Sequence, residues 1–296
     1  MKIFISFFSL VFILGCQSNA LANIYDLPKN GLRIIGEPLT HQVQKGDYFQ
    51  KIAEDYNVGF LALLAANPQA DPFLPQVNAS LRIPQQMILP FTKHQGIVVN
   101  LAELRLYYFS PTSAQVHVFP IGIGREGLET PRTISFISDK RKDPVWRPTQ
   151  EMKDRHFKKY GTHLADEIPA GKNNPFGKYA LRIGHSEYLI HGTNQRFGIG
   201  MRASSGCIRM YDEDIKWLYD NVAVDTQVRI IDQPIKMSYE GGHKKYVEIH
   251  SPLSDTEPEL YQASVEQLKR FIGSDLSEQA LDNIVLQATG LVVKIK

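Results

Sequence analysis

A chain of 296 residues, 43% hydrophobic and 22% charged, has the composition of a soluble globular protein and enough length for one large or two modest domains. Its formal net charge of +2 provides no dense basic surface, which argues against a nucleic-acid partner.

The first segment differs from the rest. Lys2 precedes an apolar run over residues 3–14. That run is too short to cross a bilayer as a helix, which takes about 20 residues. A positive start, a short apolar centre and a small-residue exit predict a signal peptide over 1–22, and hence an exported protein. Two exits compete. Ala20-Leu21-Ala22 would release Asn23 as the new N-terminus. Leu14-Gly15-Cys16 resembles a lipoprotein box in which Cys16 is lipidated and the chain anchored, although Leu14 stands where a smaller residue is usual. Either route leaves Cys207 as the one free thiol of an exported chain, and such a thiol calls for a reason. It is either an inert core residue or a nucleophile.

Residues 40–84 read as strand, helix, helix, strand. His41 to Gln44 is extended. Lys45-Gly46-Asp47 is a turn, with Asp47 placed as a helix N-cap. Phe49, Ile52, Ala53 and Tyr56 recur at helical spacing, and Asn57-Val58-Gly59 breaks the helix. Phe60 to Ala66 forms a second helix, stopped by Asn67-Pro68, and Leu81-Arg82-Ile83 closes the unit. This segment resembles the LysM module, with K-G-D as its signature turn and Tyr48 in place of the usual Thr. The resemblance implies binding to the N-acetylglucosamine-containing glycan of peptidoglycan or chitin.

Residues 96–232 carry strand patterns over 96–100, 104–109, 115–123, 133–138, 179–183, 188–191 and 228–231. Residues 139–178 read as a long loop or cap, and long loops within a domain are often functional. Residues 212–221 read as a helix buried on Ile215, Leu218 and Tyr219. Gly122, Gly124 and Gly127 match G-x-G-x-x-G, but Thr130-Pro131 denies the helix that a dinucleotide site needs. His185 and His191, placed on one strand face, lack the further ligands expected of zinc, so no metal and no cofactor is expected.

The chemistry concentrates between His191 and Met210, H-G-T-N-Q-R-F-G-I-G-M-R-A-S-S-G-C-I-R-M. His191 ends a strand, and a glycine-bearing loop can bring it back toward Cys207. A free cysteine is only about 3% thiolate at pH 7, so a nucleophilic one needs a partner. An adjacent imidazolium would stabilise the thiolate and later protonate a leaving amine. Gly206 permits a sharp turn, after which the backbone N–H of Cys207 and its neighbour can face an oxyanion. One such donor is typically worth about 3 kcal/mol in the transition state.

This run resembles the active-site motif of the YkuD-type L,D-transpeptidases of peptidoglycan, and Asn173-Asn174-Pro175-Phe176-Gly177 is similar to a second block of that family. With a LysM module N-terminal to it, the architecture resembles the periplasmic subgroup of Gram-negative bacteria. The resemblance implies Cys207 as nucleophile and His191 as its base, oriented by the backbone carbonyl of Gly192. It also implies Gly206 in the turn and Arg209 as a substrate-carboxylate anchor or a brace of the turn. Ser204 opens the turn; Ser205 stands where many members have a second His. Thr193 and Asn194 are candidate substrate contacts, and Trp146 and Tyr179 candidate groove walls. The implied fold is mainly β with α+β elements: a small βααβ LysM domain beside a β-rich, sandwich-like catalytic domain. The implied partners are peptidoglycan glycan and stem peptides. The acyl acceptor is left open between a stem amine (a 3-3 cross-link), an outer-membrane lipoprotein lysine and water. A non-catalytic wall-binding protein is the rival outside enzymology.

Residues 233–296 form a C-terminal extension. It reads as a strand over 246–250 followed by helical patterns over 254–272 and 275–286, and its role is not legible.

Overall fold

The computed structural model describes residues 23–253 and 258–295. The signal-peptide reading, with Cys16 and the two candidate exits, lies outside the described residues.

Nine strands form the central sheet, in the order Asn23–Asp26, Gln115–Pro120, Arg105–Phe109, Gly96–Asn100, Gln227–Ile231, Thr133–Lys142, Tyr179–Ile183, Leu189–His191 and Ile208–Arg209. Alternation along the strands serves two apolar faces. Ile97, Val99, Leu106 and Tyr108 join one cluster with Ile190, Ile208, Ile215 and Leu218. Val98, Tyr107 and Phe109 join another with Ile35, Met87 and Leu89. Both faces of these central strands are therefore covered, and Gly96–Asn100 and Arg105–Phe109 are buried throughout.

The N-terminal module has helices α1 (Phe49–Asp55) and α2 (Phe60–Ala66) between the paired strands Leu39–Gln42 and Ser80–Ile83. Its core is Val43, Phe49, Ile52, Leu63, Leu81 and Ile83. Asp47 does not cap α1. The N-cap position is Tyr48, with no side-chain cap. Asp47 instead closes the preceding turn, accepting from Gln44 N–H at 2.8 Å and pairing with His41 Nε2 at 2.8 Å and Lys51 Nζ at 3.2 Å. Burial would raise its pKa, but the Gln44 hydrogen bond and these two partners hold it at about 2.

Helix α3 (Gln150–Tyr160) lies inside the stretch that the sequence presents as a loop, and the strand before it runs on to Lys142. α3 has no buried residue, so no apolar periodicity announces it. It is held by local chemistry: Thr149 accepts from Met152 N–H, Glu151 sits in the first turn, Lys158 and Lys159 in the last, and Gly161 ends it at φ 68°. Helix α4 (Asp212–Asn221) packs under the sheet through Ile215 and Leu218.

The C-terminal unit pairs Ile235–Glu240, Lys244–His250 and Thr289–Lys294 into an antiparallel sheet, backed by α5 (Pro258–Ile272) and α6 (Glu278–Gln287). Its junction with the rest is ionic. Fully buried Lys236 lies 2.8 Å from Glu103 and 2.9 Å from Glu248, and Arg105 lies 2.9 and 3.0 Å from the same two carboxylates. Burial would raise both carboxyls, yet Lys236 foremost, with Arg105 and His250, holds both below their ordinary values. Ile88 and Pro84, from the end of the N-terminal module, are bound into the same cluster.

Candidate active site

The short strand Ile208–Arg209 runs parallel to Leu189–His191, with Ile190 opposite Ile208 and His191 opposite Arg209. A parallel return requires a crossover, here the glycine-bearing loop 192–207. Cys207 therefore enters its strand beside Leu189, at the start of the other, with His191 two residues further along. Cys207, His191 and Arg209 line one cleft of about 420 Å³.

His191 is 3% exposed, and its Nδ1 lies 2.6 Å from the Gly192 carbonyl. A carbonyl only accepts, so Nδ1 carries the proton and Nε2 is left as the base in the neutral ring. Burial first, and the Arg209 charge second, pull the His191 pKa down to about 3, against the smaller opposing effect of the Gly192 bond. Phe176 packs on the ring, centroids 4.6 Å apart. Buried Asn174 fixes that segment by donating to the Pro144 carbonyl at 2.7 Å and accepting from Phe176 N–H at 2.8 Å.

Burial pushes the Cys207 thiol above its ordinary pKa. Among the described residues the thiol's hydrogen bond goes to the Glu187 carbonyl at 3.9 Å, and none joins it to His191. The resting pair is thus a neutral thiol and a neutral imidazole. A charged ring is disfavoured where water is excluded and a guanidinium stands near, so these shifts do not favour the imidazolium–thiolate form that the sequence reading supposed.

Gly206 has φ +104°, and a Cβ there would meet Tyr188 Cε1 at 2.7 Å. Ser204 is 2% exposed; its hydroxyl accepts from Gly206 N–H at 3.1 Å and donates to the Cys207 carbonyl at 2.6 Å. Ser204, Ser205 and Asn194 line the cleft, and so does Trp146. Thr193 does not: it is buried, and its N–H binds Asp212 at 3.2 Å. Tyr179 packs against Tyr219 in the core instead of lining the groove. His185 sits in the exposed turn after Ile183, edge-on to Phe136, and does not share a face with His191. Arg209 donates weakly to Gln195 at 3.4 Å, and its buried Nε has no partner.

The cleft also takes residues that the sequence did not single out. Arg125, and Arg155, His156 and Lys159 of α3, line it, and no carboxylate side chain does among the described residues. Glu103, Glu248 and His250 form a cluster with metal-ligating atoms, away from the cleft. The Lys236 ammonium already occupies its centre, bonded to both carboxylates. Gly122 to Gly127 continues as a short strand and a turn, with no helix for a pyrophosphate.

Residues 94–230 match the L,D-transpeptidase catalytic domain (YkuD), residues 41–84 the LysM domain, and residues 234–295 the L,D-transpeptidase C-terminal domain. The chain belongs to the L,D-transpeptidase family. Among its relatives is YcfS of Escherichia coli, named a probable L,D-transpeptidase, 46% identical over 86% of this chain and 82% of that one. ErfK/SrfK of Salmonella typhimurium bears the same designation and is 42% identical over 96% of this chain and 94% of its own. YbiS of Escherichia coli, also so named, is 39% identical over 96% and 95%. The C-terminal extension, whose role the sequence left open, is thereby a domain that recurs in this family.

Proposed function

We propose that this protein is a peptidoglycan L,D-transpeptidase of the cell envelope, acting in the periplasm, with Cys207 as its nucleophile. The observation that carries this is a single cleft in which Cys207, His191 and Arg209 meet on adjacent strands within a cationic wall. A peptidoglycan stem carries several carboxylates, and such a wall suits it. The LysM module supplies affinity for the glycan that bears those stems.

The neutral resting pair supports a general-base start. His191 Nε2 takes the thiol proton as sulfur bonds to the carbonyl carbon of the third stem residue. The oxyanion faces backbone N–H at Cys207. The carbon–nitrogen bond to the terminal D-alanine then breaks, and the imidazolium returns its proton to the leaving amine. An acceptor amine attacks the thioester and loses a proton to His191; the carbon–sulfur bond breaks, an amide is left, and the imidazolium returns the proton to the Cys207 sulfur. One peptide bond is exchanged for another, so no energy source is needed. Arg209, its Nε unpartnered, suits a substrate carboxylate. The amine is that of a second stem or of a lipoprotein lysine, and water in its place would make a carboxypeptidase.

Incubation of the purified protein with tetrapeptide muropeptides, followed by mass spectrometry, tests this. D-alanine release and a cross-linked dimer are expected, as is a carbapenem adduct on Cys207. Cys207→Ala should lower D-alanine release by at least a thousandfold with the fold retained. Undiminished release would end the nucleophile reading, and release without a dimer would favour water as acceptor.

A further inference from the structure

The turn that presents Cys207 is held from behind by a residue outside the cleft. Thr130 is 5% exposed and lines a separate cavity of about 620 Å³ shared with α5. Its hydroxyl accepts from Gly124 N–H at 3.0 Å and donates to the Gly206 carbonyl at 2.8 Å. With the oxygen engaged by Gly124, the single hydroxyl hydrogen is committed to Gly206. Gly124 is itself close-packed against this loop: an added Cβ would lie 2.8 Å from Glu129 C and Thr130 N.

The carbonyl that Thr130 holds belongs to the same peptide unit as the N–H of Cys207. That unit is trans and planar, so its C=O and N–H point in opposite directions. Holding the carbonyl toward Thr130 sets the Cys207 N–H away from it. Ser204 ties the two neighbouring groups, Gly206 N–H and the Cys207 carbonyl. Among the described residues, the Cys207 N–H itself has no protein acceptor. The Cys207 N–H is therefore a free donor of the turn, and its direction is fixed by a hydroxyl outside the cleft.

We infer that Thr130 is a positioning residue that aims the Cys207 N–H at the oxyanion formed when the thiol attacks. This role rests on Cys207 being the nucleophile. It acts on the oxyanion and not on the thiol, because the thiol is held separately through Glu187. A preorganised donor acts where charge develops, so its misdirection affects kcat more than KM.

The test compares Thr130→Val, which keeps the shape and removes the hydroxyl, with Thr130→Ser, which keeps the hydroxyl and removes the methyl. D-alanine release from tetrapeptide muropeptides gives kcat and KM, and iodoacetamide alkylation against pH gives the reactivity of Cys207. Thr130→Val should lose about tenfold to a hundredfold in kcat, less than the full loss of a donor. Its KM and the alkylation profile should stay as in the parent, and Thr130→Ser should lie within about threefold of parent kcat. A parental kcat in Thr130→Val would overturn the inference, as would alkylation falling in step with kcat. So would Thr130→Ser losing tenfold or more in kcat, which would mark a packing role; that arm alone decides the matter if the valine variant does not fold. Cys207→Ala run alongside separates the two ideas: if it retains release, the nucleophile reading fails; if it is dead while Thr130→Val is unaffected, only the role of Thr130 fails.

Discussion

Two buried polar clusters in this molecule are opposites. At the junction of the modules, Glu103, Glu248, Lys236 and Arg105 are out of water and mutually paired within 2.8–3.0 Å. At the cleft, burial also acts on Cys207 and His191, but His191 has no opposite charge to lean on, and the Arg209 and Arg182 charges near Cys207 offset its burial only in part. Burial has the same sign in both places, disfavouring the charged form. Partners reverse it at the junction, where the carboxyls stay ionised. At the cleft it outweighs what partners there are, which favours a neutral thiol and a neutral imidazole. The paired cluster is a fixed joint. The unpaired one keeps a base and a proton donor uncommitted, as a reaction that moves a proton twice requires.

The largest expected effect tests the neutral pair. His191→Asn should lower kcat for D-alanine release by ~10²- to 10⁴-fold, the usual contribution of a positioned base. Because the folded-state pKa of His191 is about 3, kcat/KM should be flat from pH 5 to 8. An inflection at the ordinary histidine value, near 6.5, would show a ring that titrates freely and would break the contrast. The linked effect on stability follows from the depressed value. The folded state resists protonation, so its stability is intact above about pH 6.5 and declines as pH falls from there toward about 3. Urea melts across that window should show the decline, and His191→Asn should remove part of it.

Next comes Lys236→Met. It leaves two buried carboxylates with one guanidinium between them and should cost about 3–5 kcal/mol in urea unfolding. Adding Glu248→Gln should recover part of that loss, since the penalty lies in the orphaned charge and not in the missing pair. A Lys236→Met protein as stable as the parent would show that the joint is not held by this pairing.

The smallest effect serves as the control. Arg196 pairs with Glu54 of α1 at 3.2 Å and Glu213 of α4 at 2.9 Å, but its side chain is 44% exposed. Solvent screens such pairs, so Arg196→Ala should cost no more than about 1 kcal/mol. A larger loss would mean that the N-terminal module is fastened through this exposed triad more than through the buried joint.

Legibility in the sequence followed local pattern. The second helix of the small module and α4 are found at the residues their periodicity marks, because each has a continuous apolar face and a clear stop. α3 was invisible because it buries nothing, and the edge strands Asn23–Asp26 and Thr289–Lys294 because their pairing partners are distant in the chain. In the site, the Ser-Gly turn before Cys207 and the strand ending in His191 could be read directly, since both are properties of adjacent residues. The contributions of Arg125, Arg155, Lys159 and Thr130 could not, because each comes from a segment remote in sequence.

The sequence by itself determined the class of fold, the family and the two residues on which the chemistry is proposed to turn. Turn chemistry, hydrophobic period and a lone thiol are local quantities that survive without coordinates. Only the tertiary structure decided the burial of that pair, the cationic wall around it and the hydroxyl braced behind it. Those depend on how much water is excluded and which charges stand nearby, and both are set by packing between parts of the chain that no local pattern connects.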